Sequence, residues 1–202
     1  NEHRLYLASV CAAIAVSVTV WPLLRRIRGL HLAGVLLVLI LALLSRQRST
    51  VWDSDWSLWS DAVHKAPHAY RAHMHLGGSL EAKGDVVGSL GSYTQAAQLR
   101  PDVPEVHYNL GNALRLSGRV TEAQQSWERA LEQDPEHLEA LLNLAASHQD
   151  AGDLTQTATL LRRAEAAHPQ SPEVWRRQGM VLHLTGNGAG ARAAFLHSLD
   201  LD

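Results

Sequence analysis

The sequence predicts an all-α protein in which a transmembrane helical hairpin precedes a solenoid of about four helix-turn-helix repeats and a leading half repeat. Two observations carry this prediction. The first fifty residues contain two uncharged apolar runs, and the rest of the chain repeats every 34 residues. Four glycines and four prolines mark the period: Gly84, Gly118, Gly152 and Gly186, and Pro67, Pro101, Pro135 and Pro169. A fixed period of this length indicates one supersecondary unit stacked on copies of itself.

The apolar runs are predicted to form a membrane hairpin over residues 1–48. The run over residues 5–24 is long enough to span about 30 Å of hydrocarbon as a helix. The run over residues 30–44 is shorter, and its flanking arginines, Arg28 and Arg46, can extend it by snorkelling to a span over about residues 28–44. A secretory signal is the alternative for either run. The first run has its arginines after the apolar residues, and no cleavage pattern follows the second, so we expect a hairpin.

One face of the first predicted span carries small residues at every fourth position. These residues are Ser9, Ala13 and Ser17. Small residues allow another helix to approach closely, which is how helices associate in lipid. The pattern predicts packing against either the second span or a helix of another subunit. We expect a foreign helix, so that Ala13→Leu would release the protein from a membrane complex.

Residues 49–69 are predicted to form a linker and a leading half-repeat helix. Trp59 and Ala62 precede Pro67 by the same intervals at which a bulky and a small residue precede each later proline. Three tryptophans of this segment fall on one helix face: Trp52, Trp56 and Trp59. We expect this face to cap the open end of the first repeat, and a belt at the membrane interface is the alternative.

The solenoid is predicted over residues 70–202, in units bounded as 70–103, 104–137, 138–171 and 172–202. Small residues recur twelve positions after each glycine: Ala96, Ala130, Ala164 and Ser198. Three positions before each of them stands a bulky residue: Tyr93, Trp127, Leu161 and Phe195. The small residues allow two helices to approach closely, and the bulky residues fill the gap to the neighbouring unit. The glycine ends the first helix of each pair and the proline closes the second.

At these positions the chain resembles the tetratricopeptide repeat (TPR) family, whose unit is a helix-turn-helix of this length. The second unit, HYNLGNALRLSGRVTEAQQSWERALEQDP, is the most faithful copy. The third departs from the pattern at His148 and Leu161, and the first departs at Ser89. The resemblance implies a stacked surface for holding protein partners.

Polar side chains on the first helices are the candidate partner-binding residues. If the leucines face the partner helix, these side chains turn toward the inner surface of the superhelix. The set is Glu105, Tyr108, Asn109, Asn112, Asn143 and Gln149. Asn109 and Asn143 resemble the asparagine ladder in the TPR groove of O-GlcNAc transferases, where asparagine pairs with the backbone of an extended peptide. The alternative is that Asn-Leu-Gly is ordinary repeat consensus.

Membrane orientation is not decided by charge. Three arginines lie in the predicted hairpin turn and three lie on its other side: Arg25, Arg26 and Arg28, and Arg4, Arg46 and Arg48. The segment from Asn1 to Ser9, a hydrophobic hairpin, and then Trp56, Trp59 and Pro67 leading into repeats resemble the junction in glycosyltransferase-C-type membrane proteins with C-terminal TPRs. That resemblance implies a periplasmic solenoid on a bacterial inner membrane. It supplies no catalytic residue for this chain.

The remaining composition favours binding over catalysis. With 18 basic and 20 acidic side chains, the chain lacks the charge of a nucleic-acid-binding protein. Its twelve histidines show no metal-ligand spacing, Cys11 stands alone, and we expect no cofactor. We therefore predict a scaffold that is not an enzyme, with membrane lipid and a protein as partners. The alternatives are an accessory subunit of a large bacterial membrane complex, a biogenesis factor that binds clients transiently, and the acceptor-presenting part of a longer glycosyltransferase-C-type enzyme.

Overall fold

The computed structural model describes residues 30–49 and 54–201, which form ten α-helices and no strand. The all-α class predicted from the sequence is confirmed for this part of the chain. The chain divides into two compact units between Asp53 and Ser54.

The described part of the first unit is one helix, α1, over Leu30–Ser49. Its aliphatic side chains between Val35 and Leu44 are exposed. Within the residues that the structure describes, no helix is long and apolar enough to cross a membrane, so the predicted hairpin has no support there. The first predicted span, with Ser9, Ala13 and Ser17, lies outside the described residues.

The second unit consists of a single helix followed by four helix pairs, each packed on its neighbours in sequence. The single helix is α2 (Asp55–Lys65). The pairs, which we call repeats 1 to 4, are α3 (Tyr70–Ala82) with α4 (Val86–Leu99), α5 (Pro104–Leu116) with α6 (Val120–Gln133), α7 (Leu138–Asp150) with α8 (Leu154–Ala167), and α9 (Pro172–Leu184) with α10 (Gly188–Leu201). Each helix packs mainly on the helices next to it in sequence, as in a TPR solenoid.

The turn inside each repeat is closed by a glycine in the left-handed conformation. The φ angle is 78° at Gly84 and Gly118 and 80° at Gly152 and Gly186. In repeat 1 the Gly84 N–H donates to the Glu81 carbonyl at 2.8 Å, and the Asp85 N–H donates to the Leu80 carbonyl at 2.9 Å. The same two bonds recur in the other repeats. They satisfy carbonyls that the helix end would otherwise leave free, and glycine takes this φ without steric cost.

The two helices of a repeat meet where a small residue faces a large side chain. An ideal Cβ on Gly111 would lie 2.5 Å from Nε1 of Trp127. Comparable distances relate Gly77 to Tyr93 and Gly179 to Phe195. In repeat 3 the same two positions hold Ala145 and Leu161. Alanine is larger than the glycine of the other repeats, and leucine is smaller than their aromatic residue. Ala96, Ala130 and Ala164 on the second helices are completely buried.

Candidate partner-binding surface

A cavity of about 610 Å³ opens on the solenoid between α2, α3 and α5. We call it the repeat 1–2 cavity. Its walls combine aromatic, aliphatic and polar side chains, among them Trp59, Tyr70, Arg71, His75, Glu105 and Asn109. A concave site with apolar walls and a few convergent polar groups is the usual form of a binding site.

The aromatic side of the cavity is built by contacts between α2 and α3. The rings of Trp59 and His75 stack at a centroid distance of 4.2 Å and an angle of 17°. The ammonium of Lys83 lies 4.2 Å from the ring centre of Trp56. Both tryptophans of α2 thus lie against repeat 1, which is the contact that a capping face predicts. Trp52 lies outside the described residues.

Tyr93 also lines the cavity, and its hydroxyl is held inside the repeat. It donates to Oε2 of Glu81 at 3.3 Å. Burial, followed by the charge and hydrogen bond of Glu81, raises the pKa of Tyr93 well above its ordinary value of 10. The hydroxyl therefore remains a hydrogen-bond donor at physiological pH.

The cations near Tyr70 differ in how they are paired. Arg100 makes two hydrogen bonds of 2.7 Å to Asp102 and lies 5.2 Å from the centre of the Tyr70 ring. The Arg100 guanidinium, through these bonds, lowers the pKa of Asp102 to about 2. Arg71 donates to the Tyr70 hydroxyl at 3.1 Å, and among the described residues no carboxylate lies within ion-pair distance of it. Arg71 thus contributes positive charge to the cavity wall, and Glu105 contributes negative charge.

The contact between repeats 2 and 3 is closed by two carboxamides. Nε1 of Trp127 donates to Oδ1 of Asn112 at 3.2 Å, and Nδ2 of Asn143 donates to the same oxygen at 2.9 Å. Because an indole nitrogen only donates, the oxygen of Asn112 must face it, which fixes the orientation of this carboxamide. We call the contact between Asn112 and Asn143 the amide bridge.

The amide bridge is missing from the preceding contact, between repeats 1 and 2. The residues one period earlier are Gly78 and Asn109, and both line the repeat 1–2 cavity. Gly78 has no carboxamide to offer. Among the described residues, no hydrogen bond is made by the side chain of Asn109. The half-buried Asn109 carboxamide is therefore available to a ligand in the cavity.

The contact between repeats 3 and 4 has an arginine in place of the amide bridge. The residues one period after Asn112 and Asn143 are Ala146 and Arg177. The Arg177 guanidinium donates to the Leu142 carbonyl at 3.2 Å and to Glu173 at 2.5 Å. Burial lowers the pKa of Arg177 from its ordinary value. Of these three contacts between repeats, the first is thus the one without a polar bridge at this position.

The six predicted binding residues fall into separate groups. Glu105 and Asn109 line the repeat 1–2 cavity, whereas Asn112 and Asn143 bind each other. The ring of Tyr108 lies 4.9 Å from that of His137. Gln149 is half-buried near the end of α7. Sequence reasoning missed the cavity residues of α2 and α3, which are recognisable only once α2 is packed on repeat 1.

A second group that sequence reasoning missed consists of three rings that bind proline carbonyls. Nε2 of His73 lies 2.9 Å from the Pro67 oxygen, and Nε2 of His107 lies 2.8 Å from that of Pro101. In repeat 4, Nε1 of Trp175 donates to the Pro169 oxygen at 2.8 Å. A carbonyl oxygen only accepts, so each ring nitrogen donates. The detectable signal was a ring with an N–H six residues after the proline.

Comparisons with known proteins agree with this architecture. Two family models match the chain, and both are described as tetratricopeptide repeat. One matches residues 57–104 and 88–124, and the other matches residues 114–181. No curated protein matches the chain. Nothing in these matches supports the resemblance to glycosyltransferase-C-type proteins.

Several solved structures share the fold. A crystal structure of MamA is 16% identical, covers 71% of this chain and 84% of its own, and has a TM-score of 0.65. PilW, described as a widely conserved type IV pilus biogenesis factor, is 24% identical, with coverages of 71% and 66% and a TM-score of 0.63. YrrB, described as a TPR protein with an unusual peptide-binding site, is 16% identical, with coverages of 73% and 76% and a TM-score of 0.60. These identities show the fold alone. Since the repeat models together match more than half of the chain and the helices stack in the expected pairs, the chain belongs to the tetratricopeptide repeat family.

Proposed function

We propose that the solenoid is a protein-interaction scaffold that holds an extended segment of its partner in the repeat 1–2 cavity. The observation that carries the proposal is the Asn109 carboxamide, which lines the cavity and makes no hydrogen bond with a described residue. A carboxamide offers a donor and an acceptor, which are the two groups that a peptide backbone needs. Asn109 therefore pairs with one residue of the bound segment through its main chain.

The remaining cavity residues set the chemistry of the bound segment. Trp59 and Met74 give apolar area to a side chain that points into the cavity. Arg71 and Glu105 line the cavity. They favour a partner segment with an acidic group near Arg71 and a basic group near Glu105. Asn143, the other member of the predicted ladder, already bonds to Asn112, and in this proposal it supports the groove next to the binding cavity.

The test is a peptide selected from a displayed library on the full chain, followed by titration against variants. We expect Asn109→Ala to weaken the peptide about tenfold, the effect of losing one well-made hydrogen bond of about 1.4 kcal/mol. The matched control is Gln125→Ala, which removes an exposed carboxamide from α6 outside the cavity. Equal affinities for the wild type and Asn109→Ala would refute the proposed site.

We also propose that the scaffold is anchored to a membrane and faces the extracytoplasmic side. Two features support the anchor: the uncharged sequence of residues 5–24 and the exposed aliphatic side chains of α1. The resemblance to glycosyltransferase-C-type junctions supports the orientation. The partner is then a protein at the same membrane, such as a subunit of a complex to which the solenoid gives a docking surface.

A further inference from the structure

The three contacts between consecutive repeats can be compared position by position, because the chain repeats every 34 residues. In the contact between repeats 2 and 3, the first helix of one repeat supplies a carboxamide oxygen from Asn112. The first helix of the next repeat supplies the donor, Nδ2 of Asn143, at 2.9 Å. The corresponding positions in repeats 1 and 2 are Gly78 and Asn109. The donor is therefore retained there, and the acceptor is missing.

The space for the missing carboxamide is open. An ideal Cβ on Gly78 would meet one atom, the Tyr93 hydroxyl, at 3.6 Å, which is ordinary van der Waals contact. Both Gly78 and Asn109 line the repeat 1–2 cavity, so the cavity includes the region that a side chain at position 78 would enter. Tyr93 occupies the position that corresponds to Trp127, whose N–H is the second donor to Asn112. The donor Asn109 and the open space are thus preserved, whereas the Tyr93 hydroxyl donates to Glu81 and does not replace the Trp127 N–H.

The charges around this space favour a neutral acceptor. Asp55 and Glu105 line the cavity together with a single arginine, Arg71, and Glu81 lies next to it as the partner of the Tyr93 hydroxyl. Even with Arg71, these three acidic side chains leave the surroundings of the cavity net negative, which disfavours a carboxylate ligand. A carboxamide carries an oxygen that accepts from Asn109 without adding negative charge.

We propose that the partner segment carries an asparagine or glutamine whose side-chain carboxamide occupies the space over Gly78 and accepts a hydrogen bond from one N–H of Asn109, whose second N–H and oxygen pair with the main chain of the segment. The ligand thereby completes between repeats 1 and 2 the amide bridge that Asn112 and Asn143 make between repeats 2 and 3. This inference rests on the proposed peptide-binding function, and it adds the class of side chain that is recognised.

The first experiment lets the chain supply the carboxamide itself. In Gly78→Asn, the new side chain has the sequence position of Asn112 one period earlier, and we expect it to bond to Asn109 and to raise the urea midpoint above that of Gly78→Ala. Gly78→Ala controls for the removal of glycine from the helix, and because alanine is a better helix former than asparagine, a midpoint of Gly78→Asn above it requires a new contact. The additional rise should vanish when Asn109→Ala is combined with Gly78→Asn. A rise that persists without Asn109 would overturn the inference.

The second experiment measures recognition. Peptides are selected from a displayed library on the full chain and resynthesised with each asparagine or glutamine changed to alanine or to the corresponding acid. We expect one such position to lose at least tenfold in affinity with either change. Gly78→Asn should abolish binding of the same peptide, whereas Ala146→Asn, which adds a carboxamide between repeats 3 and 4 outside the cavity, should leave it unchanged.

The outcomes separate this inference from the function on which it rests. Peptides that depend on Asn109 but tolerate alanine at every asparagine and glutamine would overturn the carboxamide inference and leave the proposed peptide site standing. Peptides that ignore both Asn109→Ala and Gly78→Asn would overturn the two together. Loss of affinity with the acid analogue as well as the alanine analogue, together with an effect of Gly78→Asn that Ala146→Asn lacks, would support both.

Discussion

Gly111 and Trp127 fit together with no room for a methyl group between them. An ideal Cβ on Gly111 would lie 2.5 Å from Nε1 of the indole and 2.6 Å from its Cδ1. The indole is completely buried, and its N–H donates to Asn112, so it cannot easily move away. The pair thus fixes the distance between the two helices of repeat 2.

The first prediction is that Gly111→Ala destabilises the protein by about 1–3 kcal/mol through overpacking. This loss should outweigh the gain of about 1 kcal/mol in helix propensity that alanine brings. Gly91→Ala on α4 is the matched control, because an ideal Cβ there meets no atom within 4 Å. Urea unfolding monitored by circular dichroism measures both. A Gly111→Ala protein as stable as the control variant would contradict the packing described here.

Repeat 3 suggests how the same clash is relieved, since Ala145 and Leu161 hold these two positions there. We expect Trp127→Leu to offset part of the damage caused by Gly111→Ala. In a double-mutant cycle the two changes should show a favourable coupling of at least about 0.5 kcal/mol. Simple additivity of the two effects would mean that side-chain size is not matched across the pair.

The second prediction concerns the completely buried Ala130 on α6. Ala130→Leu should cost about 1–3 kcal/mol of unfolding free energy, because the neighbouring helices leave no volume for the larger side chain. Ala193→Leu, on an exposed face of α10, should change stability by less than about 0.5 kcal/mol. Thermal or urea unfolding measures the stability of both variants. Equal midpoints for the two variants would contradict the close packing of helices at Ala130.

The third prediction is a loss of stability at alkaline pH that depends on Tyr93. Burial, followed by Glu81, raises the pKa of this hydroxyl in the folded state above its ordinary value of 10. The folded state therefore holds the proton more tightly than the unfolded state. The contribution to stability is complete below about pH 10 and is lost as the pH rises beyond that value.

The measurement is urea unfolding between about pH 8 and about pH 11, across the ordinary tyrosine pKa. Tyr93→Phe serves as the control, because it retains the ring and removes the titrating hydroxyl. The wild type should lose more stability than the variant over this range. Parallel pH profiles would show that the Tyr93 hydroxyl has the same pKa in the folded and unfolded states.

The fourth prediction tests membrane orientation by cysteine labelling in spheroplasts. With Cys11 replaced by alanine, Ser117→Cys in the turn of repeat 2 should react with an impermeant maleimide before lysis. Gly29→Cys in the predicted hairpin turn should react only after lysis. The reverse pattern would place the repeats in the cytoplasm, and labelling of both positions before lysis would argue against a hairpin.

The repeat architecture could be predicted because its determinants are local. Glycine at the end of a first helix and proline after a second act on their own backbone, so their 34-residue spacing marks the helix pairs directly. The prediction of two membrane spans used local apolar character in the same way. In the described part of the chain, however, no helix qualifies as a span.

The amide bridge illustrates what the sequence pattern does not contain. Asn112 and Asn143 are 31 residues apart, which is not a multiple of the period. Their contact depends on the offset between stacked repeats, which no single repeat encodes. The prediction instead grouped Asn109 with Asn143 as equivalent groove residues. They are equivalent in position, but Gly78 leaves the first free while Asn112 holds the second.

The near-identical φ angles of the four turn glycines have a consequence for how such a chain can lengthen. Since the turn inside every repeat has the same glycine conformation, duplication of the gene segment for residues 104–137 would insert a helix pair of the same form. The inserted copy would carry asparagine at both bridge positions, so an amide bridge like that between Asn112 and Asn143 could form at the new contact between repeats. Growth by whole units would therefore extend the inner surface while the open cavity stayed at the amino-terminal end.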